Sequence, residues 1–378
     1  MASRRNVLKL IGGGVVLAAA AGGGFVALNQ PSRAAREPWR AAGQYEEFRR
    51  RALSYALLAP NPHNRQPWLV RLDGDTALSL YCDLDRRLPV TDPFDRQITI
   101  GCGAFLELLS IAAAEEGYDA IITPFPEGED PATLDERPIA QVTFQAGAGT
   151  RDALFAQILA RRSTKSVYRP EAPSAAQLAD LARTGASFGQ VSQTAADADL
   201  VEGLRDLIWR GHELESLTPS AMQESVDLMR IGAAEVAANP DGIELEGPFI
   251  AAASMAGMLN RETLADPSST AFQEGLSMYR AMAMSAPAFG WIGNANASRI
   301  DQINAGRAYA RVNLRATALG LAMHPWSQAL QEYEEVASLY EEVHTLIGAG
   351  NRLQMLYRVG YAEPAIETPR RGLSAHLV

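Results

Sequence analysis

The chain is 378 residues long, 47% hydrophobic and 21% charged, which is ordinary for a globular protein and long enough for two domains. It holds 34 Lys and Arg against 44 Asp and Glu, a net charge of −10, and this excludes nonspecific binding to nucleic acid, whose phosphates would be repelled. Two cysteines, Cys82 and Cys102, exclude a disulfide scaffold; outside the cytoplasm they could pair, but two simply buried thiols are the commoner outcome.

In chain order, residues 1–28 read as an export signal. Ser3-Arg4-Arg5-Asn6-Val7-Leu8-Lys9 fits the twin-arginine pattern, with Val7 where Phe is usual, and a weakly hydrophobic, glycine-rich run from Ile11 to Leu28 follows. That route carries folded proteins, typically ones that acquire a cofactor first, to the periplasm or cell envelope. No clean small-x-small site follows Leu28, so an uncleaved N-terminal anchor, the one expected membrane contact, is the alternative to cleavage. The signal or anchor is set at 1–30 and a proline-containing linker at 31–43.

From Gln44 to Leu58 the spacing of Tyr45, Phe48, Ala52, Tyr55 and Ala56 predicts a helix. Pro60-Asn61-Pro62-His63-Asn64-Arg65-Gln66-Pro67-Trp68 then forms an extended loop, rich in amide donors and acceptors. Bonding to its own backbone is the default reading of such a loop. Strands are predicted over Trp68–Leu72 and Ala77–Tyr81 around the turn at Asp73-Gly74, a long helix from about Gln97 to Glu116, and strands at Ile121-Ile122 and Ile139–Phe144. Gly147-Ala148-Gly149 marks the boundary between a first half, 44–148, and a second, 149–378.

The second half opens on a helical spacing at Leu154, Phe155, Ile158 and Leu159 that leads into Arg161-Arg162-Ser163-Thr164-Lys165-Ser166-Val167-Tyr168-Arg169. Guanidinium forks, an ammonium and hydroxyls together suit a phosphate dianion; the competing reading has Arg161 and Arg162 complementing the negative end of the helix. Ser174 with Gln177 predicts a capping box and a helix through Arg183, and Ser187–Gln193 a strand. Residues 222–284 hold seven of the ten methionines, around the apolar run Pro248–Leu259 and a predicted helix near Phe272–Met284. A helix from about Asp301 to Leu321 repeats the long helix of the first half, since Gly306 and Gly320 are spaced as Gly103 and Gly117 are. Leu353–Val359 reads as a strand before Pro369-Arg370-Arg371. Glu341 and His344 form a single E-x-x-H, whereas a carboxylate-bridged di-metal site needs a pair on facing helices, so no metal is expected.

The paired motifs Asn64-Arg65-Gln66-Pro67-Trp68 and Arg161-Arg162-Ser163-Thr164-Lys165 resemble the N-x-Q-P-W and R-x-S-x-[RK] runs of the FMN-dependent nitroreductases. Their inverted order resembles the two-lobed, Acg-type branch of that superfamily, over about residues 40–372. The resemblance implies an α+β nitroreductase-like fold of two tandem halves forming a pseudo-dimer within one chain, with an inserted cover at about 220–295. It implies bound FMN, with Arg161, Arg162, Ser163, Lys165, Arg370 and Arg371 at the phosphate and ribityl end. Lys165 would reach toward the N1/O2 edge, and Asn64 and Gln66 would lie at the ring. Pro325, Trp326 and Ser327 match the family's segment at the N5 edge. No side chain need act as acid or base, because the flavin carries the chemistry. The implied activity is two-electron reduction of a small molecule by NAD(P)H or another donor. An FMN-sequestering protein with an occluded flavin is the alternative, and a cofactor-free relic the third.

Overall fold

The computed structural model describes residues 25–26, 29–348 and 350–378; the twin-arginine run and nearly all of the apolar run after it lie outside them. A short helix α1 (Glu37–Ala41) precedes α2 (Phe48–Ala56), whose start is capped by Glu47 accepting from the backbone N–H of Arg49 and Arg50. The loop after α2 is not extended as expected but turns through a 3-10 segment, Pro62–Asn64, with His63, Asn64 and Gln66 at positive φ; β1 (Trp68–Asp73) and β2 (Ala77–Cys82) follow. Next come the long helix α3 (Arg96–Glu115), β3 (Tyr118–Pro124) and β4 (Ala140–Ala146). These four strands make one antiparallel sheet in the order β1-β2-β4-β3.

The same order recurs. Helix α4 (Ala175–Gly185), with the capping box at Ser174 and Gln177, leads to β5 (Val191–Ala195). A long connection then carries α5 (Ala198–Leu217), α6 (Pro219–Asp227), β6 (Met229–Ile231), α7 (Gly232–Ala238), β7 (Ile243–Leu245), α8 (Pro248–Met255), α9 (Arg261–Ala265) and α10 (Thr270–Met284). After it come β8 (Ala288–Asn294), α11 (Arg299–Ala318), β9 (Ala322–Pro325), α12 (Ala337–Ile347) and β10 (Arg352–Gly360), giving a second antiparallel sheet ordered β5-β8-β10-β9. Each strand thus has its counterpart in the other sheet. Where the first half turns from β1 to β2 through Gly74, the second inserts the whole α5–α10 connection.

Helices α3 and α11 cross at the centre, and glycine brings their backbones together. A Cβ on Gly103 would stand 2.1 Å from the Ile303 carbonyl oxygen, and one on Gly306 would stand 1.9 Å from that of Ile100. The two contacts are reciprocal, as a two-fold relation requires. Arginines at the helix starts reach across. Arg96 donates to the Leu330 and Gln354 carbonyls, and Arg299 donates to the Phe94 carbonyl at 2.7 Å. Glu107, buried in the crossing, takes both Arg307 (2.9 Å) and Arg311 (2.7 Å). α3 is the one helix among the described residues long and apolar enough to cross a membrane, and the core around this crossing buries it.

Two local expectations change. The apolar spacing at 154–159 forms only a 3-10 turn, Ala153–Gln157, capped by Asp152. Leu154 and Ile158 dock into the first core, Phe155 packs edge-on against Tyr55, and Leu159 is left exposed. Arg161 and Arg162 therefore do not sit at the end of an α-helix. The strand expected from Ser187 begins at Val191, because Phe188 and Gly189 take left-handed backbone in a 3-10 turn. Cys82 and Cys102 are both buried and unpaired; burial pushes the Cys102 thiol up to about 12.

The surroundings of Lys165 as the candidate cofactor site

The loop before β1 is held in strained backbone. His63 (φ 46°), Asn64 (φ 51°) and Gln66 (φ 50°) all lie in the left-handed region, which costs each such residue roughly 1–3 kcal/mol unless its surroundings over-determine it. Here they do. Asn64 donates to the Pro369 carbonyl (3.0 Å) and accepts from Arg370 (2.7 Å). Gln66 accepts from the Arg371 N–H (2.8 Å) and donates to the Pro240 carbonyl (2.9 Å). The C-terminal tail and the α7–β7 turn together set the loop's shape.

Arg370 is the centre of that brace. It is buried, and its guanidinium donates to the carbonyls of Leu57, Leu58, Ala59 and Pro369 as well as to Asn64 and Thr368. Burial is the main cause that pulls it down to about 9, with Arg161 next. Arg370→Ala strips a buried charge from six acceptors, so we expect unfolding to become easier by about 3 kcal/mol or more. A denaturant midpoint checks this; an unchanged midpoint would show the brace to be dispensable.

The central cationic run faces this loop from the second half. The Thr164 N–H bonds the Met323 carbonyl at 2.9 Å, fastening the run beside β9. Arg161 is almost wholly buried; its Nη2 donates to the Leu58 carbonyl (2.6 Å), while its Nε has no partner. Arg162 turns outward, 4.7 Å over the Trp39 ring and paired with Glu367 at 2.7 Å. Ser163 is half-buried, and the buried Ser166 hydroxyl has no partner.

Lys165 is exposed to solvent, yet protein surrounds it on most sides. Tyr279 first, and then Glu244, hold its ammonium above the usual lysine range. Its charge is felt by three histidines. Burial pushes His63 and His212 down to about 4, with Lys165 adding to the effect. His324 is pushed well below its ordinary value by burial, Arg358 and Lys165. All three are therefore neutral near pH 7, and Nδ1 of both His63 and His212 is buried without a partner.

An aromatic wall stands behind Lys165. His212 and Tyr279 stack at 4.1 Å, and Tyr279 meets Trp326 edge-on at 6.1 Å. Trp326 is fixed by its indole N–H on the Ile208 carbonyl (2.9 Å) and its backbone N–H on that of Leu356 (2.8 Å). The Ser327 hydroxyl donates to Gln97 (3.0 Å), and half-buried Pro325 ends β9. Arg358 lies 4.1 Å over Tyr168 and donates to His324 (3.2 Å). A flat conjugated ring with an anionic edge and an anionic tail fits such a wall, the Lys165 ammonium and the unpaired Arg161 Nε.

Of the residues singled out in the sequence, Lys165 stands among His63, His212, His324 and Tyr279, Arg161 is buried against the Leu58 carbonyl, and Ser163 is half-buried between them in sequence. Gln66, Asn64, Arg370 and Arg371 form the brace beneath. His212, Glu244 and Tyr279 are additions from the α5–α10 connection. The run Gly185-Ala186-Ser187-Phe188-Gly189 has the G-x-S-x-G spacing of a hydrolase nucleophile. It links a helix to a strand rather than a strand to a helix, and the Ser187 hydroxyl donates to the Thr184 carbonyl (2.7 Å).

Glu215 on α5 adds a pH dependence nearby. Burial pushes its carboxyl up to about 7, although Gln331 donates to it at 2.5 Å. The folded chain thus holds this proton more tightly than the unfolded one. Its contribution is full below pH 4.5 and is lost as pH rises through 7. Glu215→Gln should remove a loss on the order of 2–3 kcal/mol between about pH 5 and pH 8. The histidines act with the opposite sign: their contribution is full above 6.5 and lost as pH falls through about 4. Denaturant midpoints of the parent and the variant at both pH values check the sign.

Comparison with known proteins agrees. The Nitroreductase family model matches residues 158–361. Rv3131 of Mycobacterium tuberculosis, which carries the name of an NAD(P)H nitroreductase, is 32% identical over 338 residues, covering 86% of this chain and 89% of that protein. Acg of the same organism is 38% identical over 95 residues, 24% of this chain and 28% of that one. Among solved structures, the FMN-dependent nitroreductase NfnB of Mycobacterium smegmatis, in complex with NADPH, aligns with 57% of this chain and 92% of its own at 18% identity and a TM-score of 0.35. The chain belongs to the nitroreductase family.

Proposed function

We propose that this chain is an FMN-binding oxidoreductase of nitroreductase type, in which the two halves form a pseudo-dimer with one cofactor site. The observation that carries the reading is Lys165: an accessible cation whose charge reaches the neutral histidines His63, His212 and His324 and the Tyr279 ring. Arg161 and Ser163 would hold the phosphate and ribityl end, and Lys165 would meet the pyrimidine edge of the ring, where a cation favours the anionic reduced state. Arg370, Arg371, Asn64 and Gln66 act as positioning residues that keep the loop under the ring in its strained shape. Pro325, Trp326 and Ser327 line the redox edge. His212, Glu244 and Tyr279 wall the opening and exclude water. FMN held here would supply two-electron transfer from a donor to a small-molecule acceptor. The twin-arginine run supports export of the folded, loaded protein, which separates it from the cytoplasmic nicotinamide pool.

The test is the visible spectrum of the purified chain, followed by NADH and NADPH under anaerobic conditions. A yellow protein that bleaches supports the oxidoreductase. A yellow protein bleached only by dithionite points to the sequestering alternative. A colourless protein that takes up no FMN overturns the reading.

A further inference from the structure

The apolar helix α8 is almost bare. Its sequence, Pro248-Phe249-Ile250-Ala251-Ala252-Ala253-Ser254-Met255, is the kind found in a core, but only Ala253 is buried. Phe249 (52%), Met255 (79%) and Met258 (59%) stand exposed together. Scattered exposed apolar residues are normal; a whole exposed apolar helix marks an interaction face.

Two observations indicate what covers it. First, the described chain begins beside it. The Ser32 N–H bonds Glu246 (2.9 Å) and the Arg36 guanidinium pairs with Glu246 (2.6 Å), just before α8 starts. The described chain from Asn29 on therefore enters the fold next to α8. Second, a cavity of about 410 Å3 opens beside this junction, lined by Arg33, Arg36, Trp39, Arg40, Leu159 and Glu367. Arg33 and Arg40 are exposed, and Trp39 carries Arg162 at 4.7 Å and Arg370 at 5.6 Å on its ring. An exposed apolar helix at the point where the described chain enters the fold, with exposed Arg33 and the Glu37-paired Arg40 at its border, suits a lipid surface with anionic headgroups. The overall charge of −10 would repel such a surface at long range, so the contact depends on this local patch.

We propose that the protein docks on a lipid bilayer through α8, with Phe249, Met255 and Met258 entering the headgroup–acyl boundary and the Arg33/Arg40 border meeting anionic headgroups. The contact is separate from any hold that the N-terminal segment has on the membrane, and it does not depend on the cofactor.

The test uses the full chain carrying Met255→Cys, labelled with an environment-sensitive fluorophore; the buried native thiols do not compete. The exposed Asp119 on β3, as Asp119→Cys, is the control. Vesicles of phosphatidylethanolamine and phosphatidylglycerol should shift the position-255 probe to the blue, and brominated lipid should quench it, while the control stays unchanged. Phe249→Ser with Met258→Ser added to the labelled chain should weaken the response about tenfold or more. Three results overturn the proposal. One is a bound chain whose position-255 probe never responds, which leaves the N-terminal segment as the whole hold. Another is a shift without vesicles that grows with protein concentration, which assigns the face to a second copy. The third is a shift on adding FMN alone, which assigns α8 to the mouth of the cofactor site.

Discussion

Lys165→Ala should fold like the parent and bind FMN about tenfold to a hundredfold more weakly, the range that loss of one charge-assisted hydrogen bond produces. The side chain is exposed, so its removal leaves no cavity. The substitution also withdraws the cation that helps keep His63, His212 and His324 neutral, so their titration should move toward higher pH. Flavin fluorescence titration measures the affinity, and imidazole NMR signals follow the histidines. Lys165→Arg, which keeps the charge, should recover part of the affinity. Unchanged binding in Lys165→Ala would remove this side chain from the site, whatever happened to turnover.

The largest effect on stability is expected at the helix crossing. Gly306→Val puts a branched side chain where even a Cβ would stand 1.9 Å from the Ile100 carbonyl oxygen. That atom is backbone and cannot swing aside, so α3 and α11 must separate. We expect a cost of about 3 kcal/mol or more, beyond ordinary overpacking, with a clear fall in Tm. Gly103→Val, against the Ile303 carbonyl, should behave alike because the contact is reciprocal. Gly275 on α10 is the control: nothing lies within 4 Å of its Cβ position, so Gly275→Ala should stabilise by about 0.5–1 kcal/mol through helix propensity. Equal effects at Gly306 and Gly275 would contradict the close crossing.

Much of the fold was legible locally. Alternating strands at β1, β2 and β4, the capping box at Ser174, and the matched glycines of α3 and α11 each carry their own signal. The turn at 153–157 was not legible. Leu154, Phe155 and Ile158 have helical spacing, but their contacts belong to the first core, and a short 3-10 turn satisfies them. The site divides in the same way. A run of cations and hydroxyls announces Arg161, Ser163 and Lys165. Nothing local announces His212, Glu244 and Tyr279, which belong to three separate elements of one connection and meet only when it folds over the site. The amides of Asn64 and Gln66 stood out, but their partners lie some three hundred residues away on the tail, beyond any local pattern.

That tail has a consequence in time. After β10 the chain leaves its own half. Arg370 braces the loop before β1, and the last residues add a strand-like edge to β1 itself: the Val70 N–H bonds the His376 carbonyl (2.7 Å), and the Val378 N–H bonds that of Val70 (3.0 Å). The first half is thus completed by residues 370–378, which follow the last strand of the second half. A nascent chain cannot hold residues 61–66 in their strained shape, because Arg370 and Arg371 have not yet been synthesised. A chain that stops short of Arg370 lacks the brace that shapes this loop.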